Sequence, residues 1–178
     1  MSRIGKKPIE IPQGVNVSIE GTRIEVCGKL GKLEQTYSQL ISINKEENTL
    51  VLKPLETSKK ARSYHGLMRA LVQNMVLGVE TYFQKTLVAE GVGYKFQLEK
   101  DKLILSVGFS HPVFFDIPKE LSIKLESNTK ILIQGIEKEQ VGFFASQIRA
   151  IRPPEPYKGK GIQYQGEKIL RKAGKTGK

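Results

Sequence analysis

Tryptophan is absent from this sequence, cysteine occurs once, at Cys27, and histidine twice, at His65 and His111. A lone cysteine excludes an internal disulfide and any cysteine-based metal cluster. Cys27 alternates with Val26 in a strand-like run, which suits a core or edge thiol. Aromatic residues make up only 7% of the chain, so a core must be built mainly from Ile, Leu and Val. No stretch approaches the roughly 20 apolar residues that a membrane helix needs. Residues 1–12 carry charges and prolines where a signal peptide would need an apolar run. These absences predict a soluble chain that stays on the side of the membrane where it is made.

Apolar residues account for 39% of the 178 positions, enough for a packed core, and the length allows one large domain or two small ones. What stands out is charge. Against 18 acidic residues there are 29 Lys and Arg, a net charge of +11, which favours polyanionic partners. Its distribution says more than its size. Residues 1–7 hold Arg3, Lys6 and Lys7 with no acid, and residues 152–178 hold eight cations against Glu155 and Glu167. Nine of the eleven excess charges therefore lie at the two ends, leaving a nearly neutral body with basic arms.

Two segments read alike. Ile11-Pro12, Val15, Val17, Ile19, Glu20, Ile24, Val26 and Gly28 are matched by Ile117-Pro118, Leu121, Ile123, Leu125, Glu126, Ile131, Ile133 and Gly135, with one residue inserted after the glutamate. The period of two, broken by Gly21-Thr22 and by Ser127-Asn128-Thr129, predicts a hairpin with one buried face. A helical pattern comes after each. Over about 59–77 it places Tyr64, Leu67, Met68, Leu71 and Met75 on one face, with Gly78 as a C-terminal stop. Over about 137–151 it places Val141, Phe144, Ile148 and Ile151 on one face. Strands are also expected at Leu50–Leu52, Thr86–Leu98 and Leu103–Val107, with a turn at Lys100-Asp101. The expectation is α+β: two tandem similar domains, each an antiparallel β-sheet with one α-helix packed on a face, plus an extended basic C-terminal tail. The bounds are 1–81, 82–152 and, after Pro153-Pro154-Glu155-Pro156 breaks the helix, 153–178 for the tail.

Catalytic patterns are missing. Gly174-Lys175-Thr176 resembles the end of a phosphate loop, but Ile169 stands where the first glycine is needed. Gly91-Val92-Gly93 lacks a third glycine and precedes strand-like residues, so a bulge or a close backbone approach explains it better. Neither histidine has an accompanying nucleophile or carboxylate pattern, and no close acid pair demands acid–base work. His65 sits among Lys59, Lys60, Arg62 and Arg69, which reads either as an RNA-facing helix edge or, preferably, as a solvated face. The tail differs, because Pro156-Tyr157-Lys158-Gly159-Lys160-Gly161-Ile162 alternates cations with glycines behind an aromatic. Lysine neutralises phosphate, glycine permits close approach, and tyrosine can stack or hydrogen-bond. A flexible basic linker is the alternative, and the proline run leading into the segment favours an arm that reaches into a groove.

The run Pro154–Ile162 resembles the tail signature of the bacterial and plastid form of ribosomal protein six of the large subunit. The opening Met1–Ile9, the helix His65–Leu71 with Asn74-Met75, Gly91–Lys95 and Gly108–Val113 resemble the same family across nearly the whole chain. The resemblance departs at Gln163, where the family usually has a cation, and at Gly28–Gly31, which lacks a frequent proline. It implies two α+β domains arisen by duplication and a structural, non-enzymatic role with no cofactor, metal or small-molecule substrate. It further implies large-subunit ribosomal RNA as partner, with neighbouring proteins at the base of the lateral stalk and translational GTPases nearby. The location implied is the ribosome of a bacterial cytoplasm or plastid stroma. Carried onto this chain, the signature residues expected to contact RNA are Tyr157, Lys158, Gly159, Lys160 and Gly161; the charge at the two ends adds Arg152, Lys168, Arg171 and Lys172, with Arg3, Lys6 and Lys7 at the other end. A free RNA chaperone or regulator is the competing reading. An RNA-modifying or hydrolytic enzyme is a third, for which the sequence shows no site.

Overall fold

The structure, a computed structural model, describes residues 3–174 and divides into two compact units, one ending at Tyr82 and the next beginning at Phe83. In the first unit β1 (Ile9–Glu10), β2 (Asn16–Glu20), β3 (Arg23–Gly28), β4 (Gly31–Thr36), β5 (Ile41–Glu46) and β6 (Thr49–Pro54) precede α1 (Lys59–Glu80). They form two antiparallel sheets, ordered β1-β6-β5 and β2-β3-β4. The alternation along β3 buries Ile24 and Val26, which join Leu50 and Leu52 of β6 and Met68, Val72 and Val76 of α1 in one aliphatic core.

The second unit has β7 (Phe83–Glu90), β8 (Lys95–Glu99), β9 (Lys102–Ser106), β10 (Val113–Asp116), β11 (Leu121–Ser127), β12 (Lys130–Gly135), α2 (Lys138–Ile151) and β13 (Gly161–Tyr164). Its sheets are ordered β10-β9-β8 and β11-β12-β7-β13. Leu87, Phe96, Leu103, Leu105, Ile131, Ile133 and Ile148 fill a separate core. The chain is thus α+β, with two similar units, each holding two small sheets rather than one.

The repeat runs deeper than the sequence showed, and in a different order. Gly28 pairs with Gly31 across β3 and β4, and Gly135 pairs with Phe83 across β12 and β7, so β4 corresponds to β7. The β5–β6 hairpin turns at Glu47 (φ 47°) and the β8–β9 hairpin at Lys100 (φ 48°), the two non-glycine residues in the left-handed region among the described residues. Ile11 N–H donates to the Asn48 carbonyl (2.7 Å) in the first turn, and Ile117 N–H to the Asp101 carbonyl (2.9 Å) in the second. Strands 4–6 therefore come after the repeated hairpin in the first unit, whereas their counterparts 7–9 precede it in the second. The units share one architecture read from two starting points. The residue inserted in the second repeat appears as a register irregularity between Leu125 and Ser127.

The glycine closing each repeat has a common cause. A Cβ on Gly28 would lie 2.6 Å from the Val79 carbonyl oxygen of α1, and one on Gly135 would lie 2.9 Å from Val141 Cγ2 of α2. At both positions the sheet comes too close to the helix for a side chain.

Three expectations change. Gly78 does not stop α1: the helix runs to Glu80, and Thr81 N–H caps the Leu77 carbonyl. The sheet holds this last turn through Leu30 N–H on the Val79 carbonyl (3.2 Å), so packing overrides glycine's local preference. The buried face of α1 is Ala61, His65, Met68, Val72, Met75, Val76 and Val79, rotated from the expected one, and Leu67 is exposed. The segment expected as one strand over Thr86–Leu98 is two, interrupted at Gly91–Gly93.

The tail also differs from expectation. It does not leave the body at Pro153, because β13 returns to pair antiparallel with β7, and Ile162 is fully buried in the core. One isoleucine in register with a waiting sheet edge suffices where composition alone suggested too little apolar material. Ile162→Ala should therefore cost about 2–5 kcal/mol in denaturant unfolding. A change within ~0.5 kcal/mol, typical of a surface site, would show that β13 is not part of the core.

Candidate nucleic-acid interface

The chain leaves α2 at Arg152, whose carbonyl accepts the Ile162 N–H at 2.7 Å, so residues 153–161 form a closed loop. Inside it Glu155 N–H donates to the Lys160 carbonyl (2.9 Å) and Gly159 N–H to the Glu155 carbonyl (3.1 Å). The Glu155 carboxylate accepts the Lys158 N–H at 3.3 Å, occupying the loop's one acid with its own backbone. Tyr157, Lys158 and Lys160 are exposed on this frame.

The glycines shape the loop. Gly161 (φ +146°) packs on the proline run, and a Cβ there would lie 2.6 Å from both the Pro153 carbonyl oxygen and Pro154 Cα. Gly159 (φ +74°) is buried, with the Arg171 guanidinium against it, 3.3 Å from where a Cβ would stand. Lys172 N–H donates to the Pro156 carbonyl at 2.8 Å. Arg171 and Lys172 are thereby brought back beside Lys158 and Lys160, a meeting that the sequence separation concealed. Lys168 is exposed on the connecting segment. Lys175 and Lys178, also counted among the tail cations, lie outside the described residues.

A charged clamp holds the far side. Arg149 of α2 donates to both carboxylate oxygens of Glu167, at 3.1 and 2.5 Å, and Tyr164 N–H adds a third bond at 3.0 Å. The guanidinium and that backbone donor hold the Glu167 carboxyl below its ordinary range, while Glu167 raises Arg149. Lys85 Nζ and the Arg149 guanidinium lie 5.7 and 5.8 Å from the Tyr164 ring centroid. Gln163, at the position where a family cation was expected, donates to Glu90 Oε1 at 2.5 Å and is committed within the sheet.

At the other end, residues 3–8 lie against α1. Arg69 donates from Nε to the Lys7 carbonyl and from Nη2 to the Pro8 carbonyl, both at 3.2 Å. This fixes the backbone and leaves the Lys6 and Lys7 side chains exposed, as is Arg3. His65 belongs neither to an RNA-facing edge nor to a solvated face. It is buried, its Nε2 is 3.0 Å from the Leu52 carbonyl oxygen, and Gly5 packs on its ring so closely that a Cβ would sit 2.5 Å from Nδ1. Lys59, Lys60 and Arg62 remain exposed in the first turn of α1, where Arg62 donates to the Thr57 carbonyl. The predicted cations thus fall into two groups, one on each unit. Sequence reasoning missed Arg149 and Glu167, whose pairing depends on a fold-back that no local pattern announces.

The profile of a family described as Ribosomal protein L6 matches residues 11–81 and 90–165. The chain is 53% identical over its full length to the large ribosomal subunit protein uL6 of Dictyoglomus thermophilum, covering 99% of that protein. It is 50% identical to that of Synechococcus sp. (strain RCC307) and 49% identical to that of Trichodesmium erythraeum, in each case over 100% of this chain and 99% of the relative.

Because Glu167 has a lowered pKa in the folded state, its clamp contributes stability above the ordinary glutamate value near 4.5 and loses it as pH falls through the folded value. Glu167→Gln should lower stability at neutral pH by about 1 kcal/mol, since the pair is partly solvated. In thermal melts against pH, the gap between variant and parent should narrow as pH falls below the ordinary glutamate value near 4.5 and close once pH passes the folded value. A gap that persists unchanged in acid would show that the carboxylate's charge is not what holds the loop.

Proposed function

The chain belongs to the ribosomal protein L6 family, a structural constituent of the large ribosomal subunit and not an enzyme, and from that we propose that it binds large-subunit ribosomal RNA through the closed basic loop at 152–172. The observation that carries this reading is the loop itself, in which Lys158, Lys160, Arg171 and Lys172 converge on a frame whose two acids are occupied, Glu155 by a backbone amide and Glu167 by Arg149. Cations held on a fixed frame neutralise phosphates without the ordering cost that a flexible tail would bear on binding. Arg152 and Tyr157 flank the same frame, Lys168 extends it, and Gly159 and Gly161 serve by shaping it. The ribosome in which the protein works is that of the bacterial cytoplasm or a plastid.

The finer role is that of a wedge. By offsetting phosphate repulsion it lets RNA helices pack near the stalk base, beside neighbouring subunit proteins and the surface where translational GTPases dock. Arg3, Lys6 and Lys7, presented by the Arg69 clamp, with Lys59, Lys60 and Arg62 on the same unit, supply a second and weaker basic surface.

Sedimentation of a native lysate before and after a moderate salt wash should keep the chain with the large subunit. Recovery only in light fractions would sink the integral role and favour a free RNA-binding regulator. In binding to large-subunit rRNA, replacing both Lys158 and Lys160 with Gln should flatten the log–log salt dependence by roughly 0.7 to 0.9 for each phosphate no longer neutralised. An unchanged slope would mean that the loop does not touch phosphate.

A further inference from the structure

The second unit carries an exposed aromatic surface that the phosphate-binding reading does not use. Tyr94 is the post around which it is built. A Cβ on Gly91 (φ +156°) would meet the Tyr94 ring at 2.9 Å, and one on Gly108 (φ +80°) would meet it at 3.1 Å. Two loops, 91–94 and 108–112, are therefore drawn against one ring, and both glycines are required by backbone angle and by space. The loops then present apolar side chains to solvent: Val92 is 93% exposed and Phe109 is 42% exposed.

Phe109 does not stand alone. Its ring lies 6.3 Å from that of His111, with the planes only 22° apart, and the Arg152 guanidinium lies 5.4 Å from the Phe109 centroid. Interacting ring pairs have centroids about 4.5–7 Å apart, so the two form a nearly parallel aromatic pair, of which Phe109 remains 42% exposed. Ser110 Oγ sits 3.4 Å from His111 Nδ1, which orients the imidazole. No carboxylate occurs in 91–98 or 103–115, and Lys95 and Arg152 are the cations at hand. Arg152 is also the residue whose carbonyl closes the basic loop. An exposed pair of nearly parallel rings, free of acids and joined through an arginine to a phosphate-binding frame, matches an unpaired nucleotide, which offers a flat base and a phosphate on one short linkage.

We propose that the Phe109–His111 loop is a stacking platform for an unpaired RNA base, with Arg152 bridging that base to the phosphate contacts of the neighbouring loop. The proposal rests on the rRNA-binding reading and adds a contact of a different kind. Stacking is insensitive to salt, whereas phosphate contacts release counterions, and this separates the two.

The test is a salt titration of full-length protein binding to in vitro transcribed large-subunit rRNA. Phe109→Ala should weaken binding by about 5- to 100-fold at every salt concentration and leave the log–log slope unchanged. Phe109→Tyr, which keeps a π face, should bind within about threefold of the parent. Arg152→Gln should reduce the slope by roughly 0.7 to 0.9. Thermal melting of Phe109→Ala checks that the exposed side chain is not needed for folding; should the variant unfold, the comparison is made between Phe109→Leu and Phe109→Tyr. Binding by Phe109→Ala, or by Phe109→Leu if that comparison is used, within twofold of the parent, or a lowered slope, overturns the platform while leaving the phosphate-binding loop standing. A parent protein that does not bind the RNA overturns both.

Discussion

Much of this molecule depends on one hydrogen bond, from Ile162 N–H to the carbonyl of Arg152. It closes the loop that leaves α2 and delivers β13 to the edge of β7. A proline run cannot continue a helix, so the chain must turn away at Arg152. It can return only if something small lies against the prolines, and Gly161 is that residue. The buried Ile162 then anchors the return, and the Arg149–Glu167 pair holds the segment beyond β13. A motif that looks like a flexible basic arm is in fact held by backbone bonds, one aliphatic side chain and one ion pair.

That constraint sets how charge is displayed. The acids near the basic segment each have a partner: Glu155 a backbone amide, Glu167 the Arg149 guanidinium, Glu90 the Gln163 amide. The lysines are left outside. On the first unit Arg69 binds the backbone of residues 7 and 8, so the side chains of Lys6 and Lys7 project from a fixed path. In both places a contact between a side chain and the backbone positions cations that remain exposed to solvent.

The hairpin repeat, the two helices and the basic ends were legible because each has a local signature: a period of two, a period of 3.6, or an uneven charge count. The closing glycines, Gly28 and Gly135, were visible as matched letters, but their reason needed the helices against them. His65 misled because its sequence neighbours are cationic, while its helical position puts it among Ala61, Met68 and Val72. Periodicity located α1 but not its rotation, since Leu67 is as apolar as the residues that are buried. β13 was hidden because a four-residue strand containing one buried isoleucine has no pattern of its own. Arg171 reaching Gly159 was hidden for the same reason: contacts made by folding back leave no mark in local composition.

The two starting points of the shared architecture give its halves different routes to assembly. In the first unit β4 pairs with the strand just before it, Gly31 opposite Gly28. In the second, the corresponding strand β7 meets its partners only across long stretches of chain, Val88 opposite Lys130 and Ala89 opposite Ile162. The long-range pairing therefore falls in a different sheet in each half, at β1 with β6 (Ile9 opposite Leu50) in the first and at β7 with β12 and β13 in the second, and folding slows as contacting residues become further apart in sequence. During synthesis β7 waits with both edges bare until β12 and then β13 emerge. The surface proposed to meet RNA is completed last, by the same strand that ends the wait.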